Sequence, residues 1–293
     1  HSESSRAMTP ELRDTLEQTL GHRVTRTTSL GGGSINDAAE VSLSDGTRVF
    51  VKTHPNPPCG MFEAEARGLR WLDEAGAIRV PRVLAVSDAE PAFLALELLS
   101  PSRRRTGFDE ELGRSLAALH EFGAPSFGLD HDNFIGRLAQ ANTPADDWPT
   151  FYWQSRLEPQ LRLASERGLI GDGIRAGFDA LRNALPDLVG PAEPPSRLHG
   201  DLWGGNLHVD EHGAPSVVDP AVYGGHREMD LAMMRLFGGF NERVFSAYHE
   251  AMPLSAGAER RVPLYQLYPL LVHVNLFGGS YLGSVERALS AYV

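Results

Sequence analysis

The sequence predicts an α+β chain built as a small, mostly β lobe followed by a larger, mostly helical one, with a cleft between them. Three observations carry this. Short Val- and Thr-rich runs separated by turn residues crowd the first third of the chain. A polar segment full of breakers, Pro101-Ser102-Arg103-Arg104-Arg105-Thr106-Gly107, then interrupts the pattern. Beyond it, leucines recur at helical spacing and strands become scarce. The division places a first lobe at residues 1–99 and a second at 100–293.

The elements follow in order. Thr9-Pro10-Glu11 opens a helix, with Thr as cap, Pro in the first turn, Leu12, Leu16 and Leu20 on one face, and Gly21 as its stop. Residues 24–30 read as a strand leading into Gly31-Gly32-Gly33. Residues 38–43 and 47–53 are strands joined by Ser44-Asp45-Gly46, a strong hairpin signal. Residues 61–74 form a helix with Leu69 and Leu72 on one face, and the apolar runs 80–86 and 92–99 are two further strands. After the break, Leu112, Leu116 and Leu119 mark a helix. Residues 151–168, 172–185, 228–237, 241–251 and 260–277 are helical as well. The exception is 206–219, which reads strand, Gly turn, strand.

Composition excludes several classes of function. With 293 residues, 42% of them hydrophobic, the chain can bury one large core or two smaller ones. Its 27 basic and 38 acidic residues leave a net charge of −11, which argues against binding nucleic acid or an anionic membrane. The single cysteine, Cys59, rules out an internal disulfide framework, and no Cys/His spacing suggests structural zinc. No apolar run reaches the length of a membrane span, and no secretory signal opens the chain, so a soluble cytoplasmic protein is expected. Only one of the 27 basic residues is a lysine, Lys52. Where arginine is otherwise used throughout, a retained lysine is the first candidate for a place that needs a compact ammonium on a flexible stem, with a surviving surface lysine as the alternative.

The strongest chemical segment is Leu198-His199-Gly200-Asp201-Leu202-Trp203-Gly204-Gly205-Asn206, followed thirteen residues after the Asn by Asp219-Pro220-Ala221. The hairpin folds the chain back, so Asn206 and Asp219 become neighbours. Two hard oxygen ligands there suit Mg²⁺, which takes few protein ligands plus phosphate oxygens and water. Asp201, one tight loop earlier, can accept a proton from a substrate hydroxyl. The order His-x-Asp-x-x-x-x-Asn, then Asp, resembles the catalytic loop and metal-binding Asp of protein kinases.

That resemblance extends to other segments and implies roles for them. Lys52 closes the third strand, like the kinase lysine that meets the nucleotide phosphates. The next helix holds Glu63 and Glu65, both candidates to pair with Lys52. Glu65 is preferred, because Glu63 lies roughly 200° away around the helix from that face. Gly32, Gly33 and Ser34 sit where a kinase-like fold covers the phosphates with free amides. At the end of the small lobe, the Glu97 C=O and Leu99 N–H are candidates to bind adenine.

More specific motifs narrow the resemblance. They are Val49-Phe50-Val51-Lys52, Met61-Phe62-Glu63-Ala64-Glu65, Asp132-Asn133-Phe134-Ile135-Gly136, Asp147-Trp148-Pro149, and Arg156-Leu157-x-x-Gln160-Leu161. Two more are Leu198-His199-Gly200-Asp201-Leu202-Trp203 and Gly225-His226-Arg227-Glu228-x-Asp230. With them the chain resembles the fructosamine kinase (ketosamine-3-kinase) family, relatives of the aminoglycoside and choline phosphotransferases. The resemblance implies a two-lobed protein-kinase-like fold. It also implies ATP- and Mg²⁺-dependent phosphorylation of the sugar 3-hydroxyl of ketoamines such as fructosamines and ribulosamines, a deglycation repair. On the sugar side the candidates are Trp203, two residues from Asp201, and His226, Arg227 and Glu228, which follow Asp219 in sequence. Trp203 has a core position as its alternative, and His226 and Glu228 have mutual bracing as theirs. His199 is expected to orient the loop, and Asp230 to cap or brace. The family usually carries a second Tyr where this chain has Gly224, from which a roomier sugar pocket is expected. Some members also carry a cysteine proposed as a redox switch in the glycine-rich loop, and this chain has none there. Three rival readings are another small-molecule kinase of the same superfamily, a catalytically dead nucleotide-binding module, and a structural or scaffold protein, for which the sequence shows no extended charged or repetitive stretch. The second would require loss of Lys52, Asp201, Asn206 or Asp219, and all four are present.

Overall fold

A computed structural model describes residues 8–31 and 36–293. Helix α1 (Pro10–Leu20) starts where the Thr9 hydroxyl accepts the Leu12 N–H (3.2 Å) and stops at Gly21, whose φ of 78° is the left-handed conformation glycine tolerates. Strands β1 (Val24–Leu30), β2 (Asp37–Leu43) and β3 (Arg48–Thr53) follow, then α2 (Met61–Glu74), β4 (Val83–Ser87) and β5 (Phe93–Glu97). The five strands form one antiparallel sheet in the order β1-β2-β3-β5-β4. Alternation sets its two faces. Val49, Val51, Phe93 and Ala95 turn towards Leu12 and Leu16 of α1. Leu94 and Leu96 turn the other way, towards Phe62, Leu69 and Leu72 of α2. Lys52 sits mid-sheet on β3, opposite Ala38 and Leu94.

The second part begins with α3 (Phe108–Phe122) and a short hairpin, β6 (Asn133–Ile135) and β7 (Leu138–Gln140). A continuous helical rod comes next: α4 (Trp148–Phe151), a π-helical stretch over Tyr152–Leu157, and α5 (Glu158–Glu166). After α6 (Asp172–Leu188) come β8 (Ser196–Leu198), a 3-10 turn (Gly204–Asn206), the hairpin β9 (Leu207–Val209) and β10 (Pro215–Val217), and β11 (Tyr223–Gly225). The chain closes with α7 (Glu228–Leu236), α8 (Glu242–Ala251), α9 (Ala258–Phe277), a 3-10 turn (Gly279–Tyr281) and α10 (Leu282–Ser290).

The expected hairpin is present, and two further two-stranded sheets join it: β6 with β7, and β8 with β11. Each of these strands spans three residues, too few to show a period in sequence. The rod starts at Trp148, three residues before the expected 151, because the Asp147 carboxylate caps it by accepting the Thr150 N–H (2.9 Å). Its π stretch adds residues to the turn, so Tyr152, Trp153, Arg156 and Leu157 are all buried. Arg79 ties the two parts together. Its guanidinium pairs with Glu97 (3.1 Å), Asp210 (3.1 Å) and Glu211 (2.7 Å), and its carbonyl accepts the Val217 N–H (3.0 Å).

Candidate active site

A cleft of about 960 Å³ runs between the sheet and the helical part. On β3, alternation puts Phe50 and Lys52 on the same face, and both line the cleft. Across from them, the Lys52 ammonium donates to Glu65 Oε1 (2.5 Å) and to the Asp219 carboxylate. Helix α2 is fixed for this task by Asp88, whose carboxylate accepts the N–H groups of Phe62 (3.0 Å) and Glu63 (2.9 Å) at the helix N-terminus. Glu63 points to solvent, so Glu65 is the partner of Lys52, as the helical spacing favours. Burial works against the Lys52 charge, yet Glu65 and Asp219 outweigh it and push its pKa up. Burial raises Glu65 in turn, whereas Lys52 holds Asp219 below the ordinary carboxylate range against its own burial.

The loop after β8 carries Asp201. Gly200 has φ 88°, and a Cβ there would lie 1.9 Å from the Ala221 carbonyl oxygen, so only glycine fits. His199 is fully buried. Its Nε2 donates to the Val218 carbonyl (2.8 Å) and its Nδ1 accepts the Asp201 N–H (3.1 Å), so both ring nitrogens are spent on the backbone. Asp230, in the first turn of α7, accepts the N–H groups of His199 (3.0 Å) and Gly200 (2.9 Å) and pairs with His120 Nε2 (2.8 Å). It braces the loop. The Asp201 carboxylate itself lines the cleft and takes no hydrogen bond from any described residue. Burial, then the nearby charges of Asp219 and Asp230, push its pKa well up.

Asn206 and Asp219 flank the β9–β10 hairpin and meet. The Val218 N–H donates to the Asn206 carbonyl (3.0 Å), and Asn206 Nδ2 donates to the Asp201 carbonyl (2.9 Å). That leaves Asn206 Oδ1 as an oxygen donor without a partner among the described residues, and Asn206 and Asp219 line the same cleft. Asp219 has φ 51°, the one non-glycine positive φ among the described residues.

Sequence reasoning did not assign the polar layer that holds the chain after Asp219. Asn133 donates to the Val222 carbonyl (2.8 Å) and Gln140 to the Ala221 carbonyl (3.2 Å). Asn142 and Gln140 both donate to Asn133 Oδ1 (2.8 and 2.9 Å), Tyr268 donates to Gln140 Oε1 (2.6 Å), and Arg156 donates to Asn142 Oδ1 (2.6 Å). Arg156 is fully buried with no carboxylate partner among the described residues and lies 3.8 Å from the Tyr223 ring centroid. The polar residues of Asp132-Asn133-Phe134-Ile135-Gly136 and the isolated Arg156 were the available signal.

Other expected site residues lie elsewhere. Trp203 lines the cleft, 44% exposed, with its ring packed over Gly205. His226 and Glu228 do not line the cleft. His226 stacks on Tyr265 (5.2 Å), and Glu228 forms a two-pronged pair with Arg261 (2.9 Å each), because α7 and α9 bury that end of the motif between them. Their place is the bracing role, not the sugar contact. The Glu97 carboxylate is spent on Arg79 and on the Arg82 N–H (3.2 Å), and neither Glu97 nor Leu99 lines the cleft. Gly32, Gly33 and Ser34 lie outside the described residues. Gly224 faces away from the cleft. A Cβ there would lie 2.0 Å from the Ser126 carbonyl oxygen, so glycine is needed for close approach of β11 and does not enlarge a sugar pocket.

A sheet bearing a buried Lys–Glu pair over a helical part that presents an Asp and an Asn/Asp couple is the arrangement of a kinase-like phosphotransferase. A macrolide 2'-phosphotransferase of Brachybacterium faecium has this fold (TM-score 0.60, 16% identity, 97% of this chain and 98% of that one). The fructosamine kinase family model matches residues 8–293, and the chain belongs to that family. A relative in Enterococcus faecium, provisionally named ketoamine kinase, is 39% identical over 263 residues, covering 89% of this chain and 93% of its own. A chloroplastic protein-ribulosamine 3-kinase of Arabidopsis thaliana is 38% identical over 277 residues (92% and 83%). The crystal structure of a Thermobifida fusca protein, provisionally named fructosamine-3-kinase, superposes with a TM-score of 0.90 at 39% identity (97% and 99%).

Proposed function

We propose that the protein transfers the γ-phosphoryl group of ATP to the 3-hydroxyl of a ketoamine, a fructosamine or ribulosamine. The observation that carries the reading is Asp201. Its carboxylate takes no hydrogen bond from the described residues and shares one cleft with Lys52 and Asp219. The relatives named for ketoamine and ribulosamine substrates supply the acceptor class.

Asp201 accepts the proton of the 3-hydroxyl as that oxygen bonds to the γ-phosphorus and the bond from phosphorus to the β,γ-bridging oxygen breaks. A carboxylate with a raised pKa is a stronger base for this step, provided it is ionised at the working pH. Lys52, held extended by Glu65, presents a point cation to the phosphates. Asn206 Oδ1 and the Asp219 carboxylate fit a hard divalent cation: both are oxygen donors on residues that line one cleft, and the amide oxygen has no protein partner among the described residues. Mg²⁺ held there would neutralise charge on the triphosphate. The remaining residues position: His199, Gly200 and Asp230 fix the loop, and Asn133 and Gln140 fix the chain beyond Asp219. No described helix is long and apolar enough to cross a membrane.

The test is Mg-ATP turnover on synthetic ribulosyl- and fructosyl-amines, with the phosphorylated carbon located by ³¹P and ¹³C NMR. Phosphate at C3, and a loss of at least about 10²-fold in kcat for Asp201→Asn with ATP binding retained, is the expected result. Turnover unchanged in that variant ends the assignment of Asp201.

A further inference from the structure

Three of the large hydrophobic side chains exposed on the described surface, Trp203 (44%), Phe237 (44%) and Phe277 (55%), line the same cleft. Clustered exposed rings beside a reacting group mark a ligand surface. Phe237 and Phe277 belong to a connected wall built where α7 ends and α9 passes into its 3-10 turn. His273 stands at its centre, with ring centroids 4.7 Å from Phe237, 5.5 Å from Phe277 and 5.0 Å from Tyr281, and Phe277 lies 6.2 Å from Tyr281. The His273 Nδ1–H donates to the Pro269 carbonyl (2.7 Å), which fixes the ring. Burial lowers its pKa, so the imidazole stays neutral near pH 7 and places no positive charge in the wall.

Charge decides what this wall can receive. A ketoamine carries a protonated secondary amine next to C1, and the amine bears the non-sugar substituent. The carboxylates that line the cleft, Glu65, Asp201 and Asp219, gather at the phosphoryl-transfer end with Lys52. The described lining residues from Met233 to Tyr281 include none. A cation directed that way meets ring faces, which attract it through their quadrupole.

We propose that Phe237, Phe277 and Tyr281 form the subsite for the amine end of the substrate, and that it selects ketoamines of small apolar amines, aromatic ones above all. This rests on the ketoamine kinase reading. Ring faces then hold the ammonium, and an aromatic substituent stacks against Phe277 and Tyr281.

The experiment compares wild-type kcat/KM on ribulose adducts of methylamine, butylamine and benzylamine. The benzylamine adduct should exceed the methylamine adduct by about tenfold or more, with butylamine between. Phe277→Ala and Tyr281→Ala should each bring the benzyl-to-methyl ratio to within about threefold, and Phe277→Tyr should restore it. Thermal melting shows that each variant is folded, and inhibition by benzylammonium alone gives a second readout that weakens in parallel. Equal kcat/KM across the three adducts overturns the subsite, as does a ratio untouched by the alanine variants. If the wild type phosphorylates no adduct at all, the ketoamine reading itself falls and the subsite with it, which is a separate and recognisable outcome.

Discussion

Asp230→Asn isolates the brace under the catalytic loop. In the wild type, Oδ2 serves His120 Nε2 (2.8 Å) and the His199 N–H (3.0 Å), while Oδ1 serves the Gly200 N–H (2.9 Å). Burial alone raises a carboxylate, but the hydrogen bond and charge of His120, then His199 and the Gly200 N–H, bring Asp230 below its ordinary value and keep it ionised. Asparagine offers one acceptor oxygen in place of two. Its best placement keeps that oxygen on the two donors and turns its NH₂ against the Gly200 N–H. Two donors are then left unsatisfied in a site where the residue is 1% exposed. At about 1–3 kcal/mol for each buried unsatisfied group, the expected loss is roughly 2–6 kcal/mol. At about 2–4 °C per kcal/mol for a large chain, that corresponds to a fall in Tm of roughly 4–24 °C. Gly200 precedes Asp201, so kcat should fall with it. Scanning calorimetry and steady-state kinetics on the same preparation read both. A Tm within about 2 °C of wild type, together with an unchanged kcat, would refute the bracing role.

Two further predictions test other buried positions. Burial pushes His226 down to about 4, so the unfolded chain takes up a proton between pH 6.5 and 4 that the folded chain refuses. Stability therefore falls as pH drops through that window, by about 3 kcal/mol from this residue. His226→Gln should remove about 2.5 kcal/mol of the decline in unfolding free energy, measured by urea titration, between pH 7.5 and 4.5, and an unchanged decline would count against it. Gly224→Ala forces a Cβ to within 2.0 Å of the Ser126 carbonyl oxygen and should destabilise by about 3 kcal/mol or more, read as a lower Tm, while the ratio of kcat/KM between fructosyl- and ribulosyl-amines stays unchanged.

What was legible in the sequence follows from how local the determinants are. Thr9, Gly21 and the Ser44-Asp45-Gly46 turn act on their own neighbours, and these elements formed as spacing predicts. The face of α2 follows from a single period, and Glu65 meets Lys52 accordingly. The hairpin between Asn206 and Asp219 also carries its own geometry. Pairings between distant short segments carry no such signal: β8 meets β11 only because the whole helical part brings Leu198 beside Tyr223. The same limit explains His226 and Glu228. Adjacency to Asp219 in sequence suggested a sugar contact, but their environment is set by Tyr265 and Arg261, more than thirty residues further on. The π stretch was invisible because an added residue per turn blurs the helical period without breaking it.

Helix α2 has a consequence for how the molecule comes apart. Phe62, Ala66, Leu69 and Leu72, with Leu94 and Leu96 of β5, belong to one continuous core with Leu116, Leu157 and Leu264 from the helical part. The change of secondary-structure type near residue 100 is therefore not a seam in the packing. Residues 1–99 alone would keep only the smaller core around Leu16, Val41 and Phe93, and would expose the face of α2 that the rest of the chain covers. The carboxylate that aims Lys52 is thus anchored by residues that follow it in the chain by as many as two hundred positions. Melting of the helical part is therefore expected to free Lys52 from Glu65 in the same transition, because the core that holds α2 spans both parts.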